Sequence, residues 1–154
     1  IYILGVRSSA YVAGYLNFYM HLLLENVTLV QSSAAGEIFE QMFRIGPGDV
    51  MLAISFPRYS RATINTAKFA KDRGATILAI TDTELSPLGQ MASASVLAPS
   101  EMISFVDSMV APLSMVNALL VALGLRLGKD VSATFSELED IWDAYGVFGK
   151  SDDE

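Results

Sequence analysis

The sequence predicts an α/β fold built on parallel strands, and three observations carry that reading. Apolar runs of strand length alternate with segments of helical periodicity, joined by connections long enough for parallel βαβ crossovers. The run from Asp49 to Ile54 is apolar after its first residue, as a strand covered on both faces must be. Two of the runs end in serine-bearing turns that lead into helices, which is where open parallel sheets hold their ligands.

Each element follows from its local pattern. Tyr2 to Val6 is the first strand, and the helix after it spans about Ser9 to Leu24, with Val12, Leu16, Tyr19, Met20 and Leu23 on one face. Val27 to Gln31 is a shorter second strand. The next helix, Gly36 to Arg44, stops at Gly46-Pro47-Gly48. The third strand, Asp49 to Ile54, precedes a helix from Ser60 to Arg73 that ends at Gly74, a left-handed cap position. Ala75 to Ile80 is the fourth strand. Ser86-Pro87 predicts a short helix, with serine as cap and proline in the first turn. Ser95 to Ala98 is a brief fifth strand. A long helix from Ser104 to Leu127 is apolar nearly all round, so it must be covered on several sides, centrally or at a subunit interface. Met102, Met109 and Met115 suit an adaptable contact there. The last helix, Phe135 to Tyr145, carries capping-box spacing at Ser136 and Glu139, and Trp142 and Tyr145 are expected to pack it onto the body. Lys150 to Glu154 reads as a disordered acidic end.

Composition narrows the function. At 154 residues the chain has the size of one domain, expected over residues 1–150. Hydrophobic residues make up 52% and charged residues 18%. That apolar excess is most simply resolved by an oligomer interface, as in a homodimer or homotetramer, or by a neighbouring domain. A net charge of −7 repels a nucleic-acid backbone, so this domain itself is not expected to touch DNA or RNA. With no cysteine and His21 as the one histidine, neither a metal site nor another cofactor is expected. The apolar run from Met109 to Leu125 is interrupted by Pro112, Ser114, Asn117 and Gly124, which favours a buried helix over a membrane span. The lack of cysteine and of a signal-peptide pattern fits a cytoplasmic location. The chain opens at Ile1 inside a strand pattern, so an excised domain with a preceding segment is expected.

The chemistry concentrates in the two serine turns. In the first, Gly5 permits a tight strand-to-helix turn, and Ser8 and Ser9 can either cap the helix or donate to a phosphate. The turn has neither the GxGxxG dinucleotide fingerprint nor the Gly-Lys-Ser/Thr of a nucleotide loop. In the second, Ser55 stands at the strand tip and Ser60 at the helix start, a spacing that lets hydroxyls and N–H groups face one anion. Arg58 and Arg61 add positive charge to an otherwise acidic domain. No cluster of nucleophile and base accompanies them. Asp82 is expected to order its own turn.

Gly5-x-x-Ser8-Ser9, then Ile54-Ser55-Phe56-x-x-Tyr59-Ser60, then Ile80-Thr81-Asp82 with Ser86-Pro87-Leu88 together resemble the SIS (sugar isomerase) domain. More narrowly, the set is similar to the carboxyl-terminal effector domain of RpiR-type transcriptional regulators. The resemblance covers about residues 1–125. It implies a three-layer α/β/α sandwich, flavodoxin-like, with a five-stranded parallel sheet that binds phosphosugars at the strand ends. SIS phosphate loops commonly read Ser-x-Ser-Gly-x-Thr. Here Ser55 matches the first serine and Ser60 stands at the threonine, while Pro57 and Arg58 replace the second serine and the glycine. Proline brings neither hydroxyl nor N–H, so one contact is lost, and Arg58 either restores it by ion pairing or blocks the site. The Arg58-Tyr59-Ser60 variant is similar to RpiR-like regulators rather than to the isomerases.

The resulting expectation is the sensing domain of an RpiR-like bacterial regulator, with its amino-terminal helix-turn-helix domain absent. A phosphorylated sugar or amino sugar would be held by Ser8, Ser9, Ser55, Arg58 and Ser60. Glu101, after the last strand, would approach the sugar. In the rival reading Glu101 is the proton-transfer base of a sugar-phosphate isomerase, as a glutamate in that region is in SIS isomerases. In the plainer one it is a solvated helix-start carboxylate.

Overall fold

The computed structural model describes residues 1–31, 35–103 and 105–149. The acidic end from Lys150 onward lies outside the described residues. Five strands form one parallel sheet in the order β2-β1-β3-β4-β5: β1 Tyr2–Gly5, β2 Thr28–Leu29, β3 Val50–Ile54, β4 Thr76–Thr81 and β5 Ala94–Leu97. The helices between them are α1 Ser9–Leu23, α2 Ala35–Met42 and α3 Arg61–Asp72.

Period-two alternation splits each strand between two apolar layers. Leu4, Met51, Ala53, Ile77 and Ala79 face one way, into a cluster with Ile38 and Met42 of α2 and Ala67 and Ala70 of α3. Ile3, Leu52, Ile54 and Ile80 face the other way, onto Val12, Leu16 and Met20 of α1 and onto Val116 and Leu120. The result is the expected three-layer sandwich. Gly74, at φ +89, ends α3 in the left-handed conformation anticipated for it.

The largest departures lie after β4. Ser86-Pro87 does not start a helix; residues 84–91 form successive turns. The Ser86 hydroxyl accepts from the Gly89 N–H and from the Thr81 hydroxyl, satisfying the segment without a full helix. The long helix starts later than expected, and Ser104, its expected first residue, lies outside the described residues. Met102–Ile103 (β6) and Val106–Asp107 (β7) pair as a small antiparallel ribbon, and the helix, α4, spans Val110–Leu127. The ribbon takes up backbone groups that helical periodicity had assigned to a first turn. The final helix, α5, spans Lys129–Tyr145, so Ser136 and Glu139 lie mid-helix and cap nothing. Nor does Tyr145 pack onto the body, being 82% exposed, while Trp142 meets Phe148 edge to face at 5.2 Å.

α4 buries one stripe, Pro112, Val116 and Leu120. Val110, Met115, Val121 and Leu125 on its other sides are exposed. Among the described helices it alone has the length and mean hydropathy, 1.8, of a membrane span, yet its buried stripe is part of the sheet's own core.

Candidate functional site

Chain order and sheet order disagree at one place. From β1 the chain steps outward to β2, then crosses back to place β3 on the other side of β1. The tips of β1 and β3 therefore part there, leaving the crevice where open α/β sheets bind ligands. Pairing of Gly5 with Ile54 brings the two strands to an end level with each other. The turns that follow, residues 6–9 and 55–60, are consequently neighbours. Val6, Arg7, Ser8, Ser9, Ser55, Phe56, Pro57, Arg58, Ser60 and Asp107 line one cleft. Five of the six residues singled out from sequence meet there.

Each serine has a distinct local role. Ser55 is buried, and its hydroxyl accepts from the Ser60 N–H at 3.2 Å, curling the second turn upon itself. Ser60 has the extended backbone of a cap, and its hydroxyl accepts from Thr63 N–H at 3.4 Å. Ser9 is the buried first residue of α1. Ser8, at the cap position of α1, makes no side-chain cap bond. Its hydroxyl donates instead to Asp107 at 3.1 Å. α1 starts so close to β1 that a Cβ on Gly5 would run into the Ser9 carbonyl, an approach that glycine permits. That close approach brings the helix start to the strand tip.

Both turns hold an arginine in the left-handed region, Arg7 at φ 57 and Arg58 at φ 69. Such backbone is costly for any residue with a Cβ and collects at ligand sites. At position 58 it also explains the departure from the usual loop pattern. The turn keeps the shape that glycine normally serves, and the arginine adopts it. Arg58 Nη2 donates to both oxygens of Asp107, at 2.9 and 3.2 Å.

Asp107 escaped the sequence reading. It lies 49 residues from Arg58 and 99 from Ser8, and it fell inside a segment read as helix. The one available signal was that an arginine in a serine turn of an acidic domain calls for an anion. A second missed link is Tyr59, whose hydroxyl donates to Asp82 at 2.9 Å. Asp82 thus ties the second turn to the tip of β4 rather than ordering only its own turn. Burial first, and then the Asp82 carboxylate, push the Tyr59 phenol above its usual 10.0.

Glu101 is not among the residues lining the cleft. Its side chain is exposed and its carbonyl accepts from the Ser108 N–H at 3.2 Å. His21 is exposed in the last turn of α1, at the end away from the cleft.

These features define a three-layer α/β domain with a hydroxyl- and guanidinium-lined cleft at the switch point of its sheet. Residues 1–122 match the SIS domain, and the chain belongs to that family. Among solved structures it is similar to the sugar isomerase domain of an RpiR transcription factor from Sphaerobacter thermophilus. The two are 25% identical with a TM-score of 0.82, over 90% of this chain and 77% of that one. The Vibrio vulnificus NanR protein, complexed with ManNAc-6P, is 17% identical with a TM-score of 0.77, over 97% of this chain and 56% of that one. The MJ1247 protein of Methanococcus jannaschii, whose structure infers a 3-hexulose-6-phosphate isomerase function, is 16% identical with a TM-score of 0.58, over 90% and 70%. The last two likenesses concern the fold. Among curated proteins none matches the chain.

Proposed function

We propose that this domain senses a phosphorylated sugar or amino sugar for an RpiR-like bacterial transcriptional regulator whose helix-turn-helix part binds DNA. The observation that carries the reading is the convergence of Ser8, Ser9, Ser55, Arg58 and Ser60 on one cleft at the switch point. Hydroxyl donors, N–H groups at the start of a helix and an exposed guanidinium suit a phosphate dianion. Charge-assisted hydrogen bonds contribute about 1.5–3 kcal/mol each. Four or five of them, less ordering costs, reach roughly micromolar affinity. Similarity to an RpiR sugar isomerase domain and to NanR supports the regulator branch.

The alternative is an isomerase using Glu101, and the isomerase-like neighbour keeps it in play. The position of Glu101 outside the cleft lining and of His21 at the far end of α1 weighs against it. Aldose–ketose exchange that Glu101→Gln abolishes would favour the enzyme.

A homodimer through the exposed side of α4 fits the composition, since Val121 and Leu125 are 62% and 79% exposed in one chain. A thermal-shift screen of sugar phosphates, amino-sugar phosphates and their N-acetylated forms tests the whole reading. One class should raise the melting temperature, and a Ser55→Ala, Ser60→Ala double variant should lose that rise. A rise that survives in the double variant contradicts it.

A further inference from the structure

We propose that Asp107 is a built-in competitor for the anion cradle, a carboxylate that the ligand's phosphate must expel and whose departure re-aims the start of α4. The inference rests on the reading of the cleft as a phosphate site and adds how that site is regulated.

Asp107 already makes the contacts an incoming phosphate would make. One of its oxygens accepts from the Ser8 hydroxyl, and both accept from Arg58. With Asp107 in place the cleft holds about 40 Å³, room for a few waters. Small-molecule sites run to roughly 300–1,000 Å³. The cradle is therefore assembled and filled. Phosphate and carboxylate cannot share it, because two anions on the same donors repel.

The plug is also cheap to remove. Arg58 is 60% exposed and Asp107 26%, so water screens their ion pair. β7 is two residues long and pairs only with β6, itself two residues long, and an isolated two-stranded ribbon is marginal. Nothing of the five-stranded sheet breaks when Asp107 leaves.

The consequence travels along the chain. β5 is two strands, about 10 Å, from β3, and the segment that follows β5 reaches the turn after β3 through the contact of Asp107 with Arg58. Only Ser108 and Met109 separate Asp107 from α4. Ser108 is itself fastened, donating its N–H to Glu101 and accepting from the Ser100 hydroxyl at its carbonyl. Expelling Asp107 strains these two bonds, and their release frees the first turn of α4, whose Val110 is exposed. Cradle occupancy is thereby coupled to the helix that offers an apolar face to a second copy.

The test is calorimetric titration of inorganic phosphate into the native chain, Asp107→Asn and Asp107→Ala, each with and without Ser55→Ala, with melting curves to show that every variant folds. Both Asp107 variants should bind phosphate about three- to tenfold more tightly than the native chain, and Ser55→Ala should remove the gain. In the native chain, phosphate should speed hydrogen exchange at the Ser108 amide. Unchanged or weaker binding by both Asp107 variants, with Ser55-dependent binding in the native chain, overturns the plug and leaves the cradle standing. No Ser55-dependent binding in any folded variant overturns both.

Discussion

Arg58 and Asp107 face each other at 2.9 Å across the mouth of the cleft, joining the turn after β3 to the ribbon before α4. The pair closes a site whose other donors, Ser8, Ser9, Ser55 and Ser60, come from two strand tips aligned by the pairing of Gly5 with Ile54. An arginine that departs from the usual loop pattern therefore has a partner.

Arg58 carries backbone strain that can be separated from its ion pair. Arg58→Ala and Arg58→Gly both lose Asp107, but only glycine relaxes at φ 69. Urea denaturation should find the glycine variant more stable than the alanine variant by about 1 kcal/mol. Equal stabilities would mean that the turn is unstrained.

Gly5 is where α1 leans on β1, and a Cβ there meets backbone rather than a side chain that can move aside. Gly5→Ala should cost about 2–3 kcal/mol and distort the first turn. The check is a fall in melting temperature together with loss of any sugar-phosphate response. A neutral substitution would contradict the close approach.

Tyr59 links stability to high pH. Its phenol is held neutral in the folded chain, above the unfolded value of 10.0, by burial and by the hydrogen bond to Asp82. Its contribution is therefore complete below pH 10 and lost as the pH climbs through the folded value. Denaturation at pH 8 and pH 11 should show native stability falling, and Tyr59→Phe should be less stable at pH 8 but lose less between the two. An identical loss in both would remove Tyr59 from the network.

Leu125 tests the proposed homodimer more cleanly than a residue of α4 nearer the sheet. Leu119 packs against the inner cluster, so a charge there challenges folding first. Leu125 is 79% exposed, and Leu125→Asp should leave the fold intact while halving the solution mass measured by light scattering. A native chain that is already monomeric at tens of micromolar contradicts the interface.

The first 80 residues were the most legible. Alternating apolar runs and the serine turns located four parallel strands, three helices and the cleft, because strand tips and helix starts are local signals there. After β4 the local signals misled. Ser86-Pro87 looked like a helix start, but its hydroxyl is spent on Thr81 and Gly89. Phe105, Val106 and Met109 matched helical spacing, but Val106–Asp107 pairs with Met102–Ile103 in a ribbon whose reward, the contact of Asp107 with Arg58 and Ser8, is tertiary. No linear pattern announces a carboxylate arriving from 49 residues away.

The most direct measurement is a nitrogen-resolved amide titration of the isotopically labelled chain with the sugar phosphate that gives the largest thermal shift. The largest displacements should fall on the amides of residues 7–9 and 56–60, with Asp107 and Ser108 following. Displacements confined to the apolar groove of Tyr15, Leu120 and Phe135, with both serine turns unmoved, would contradict the cradle.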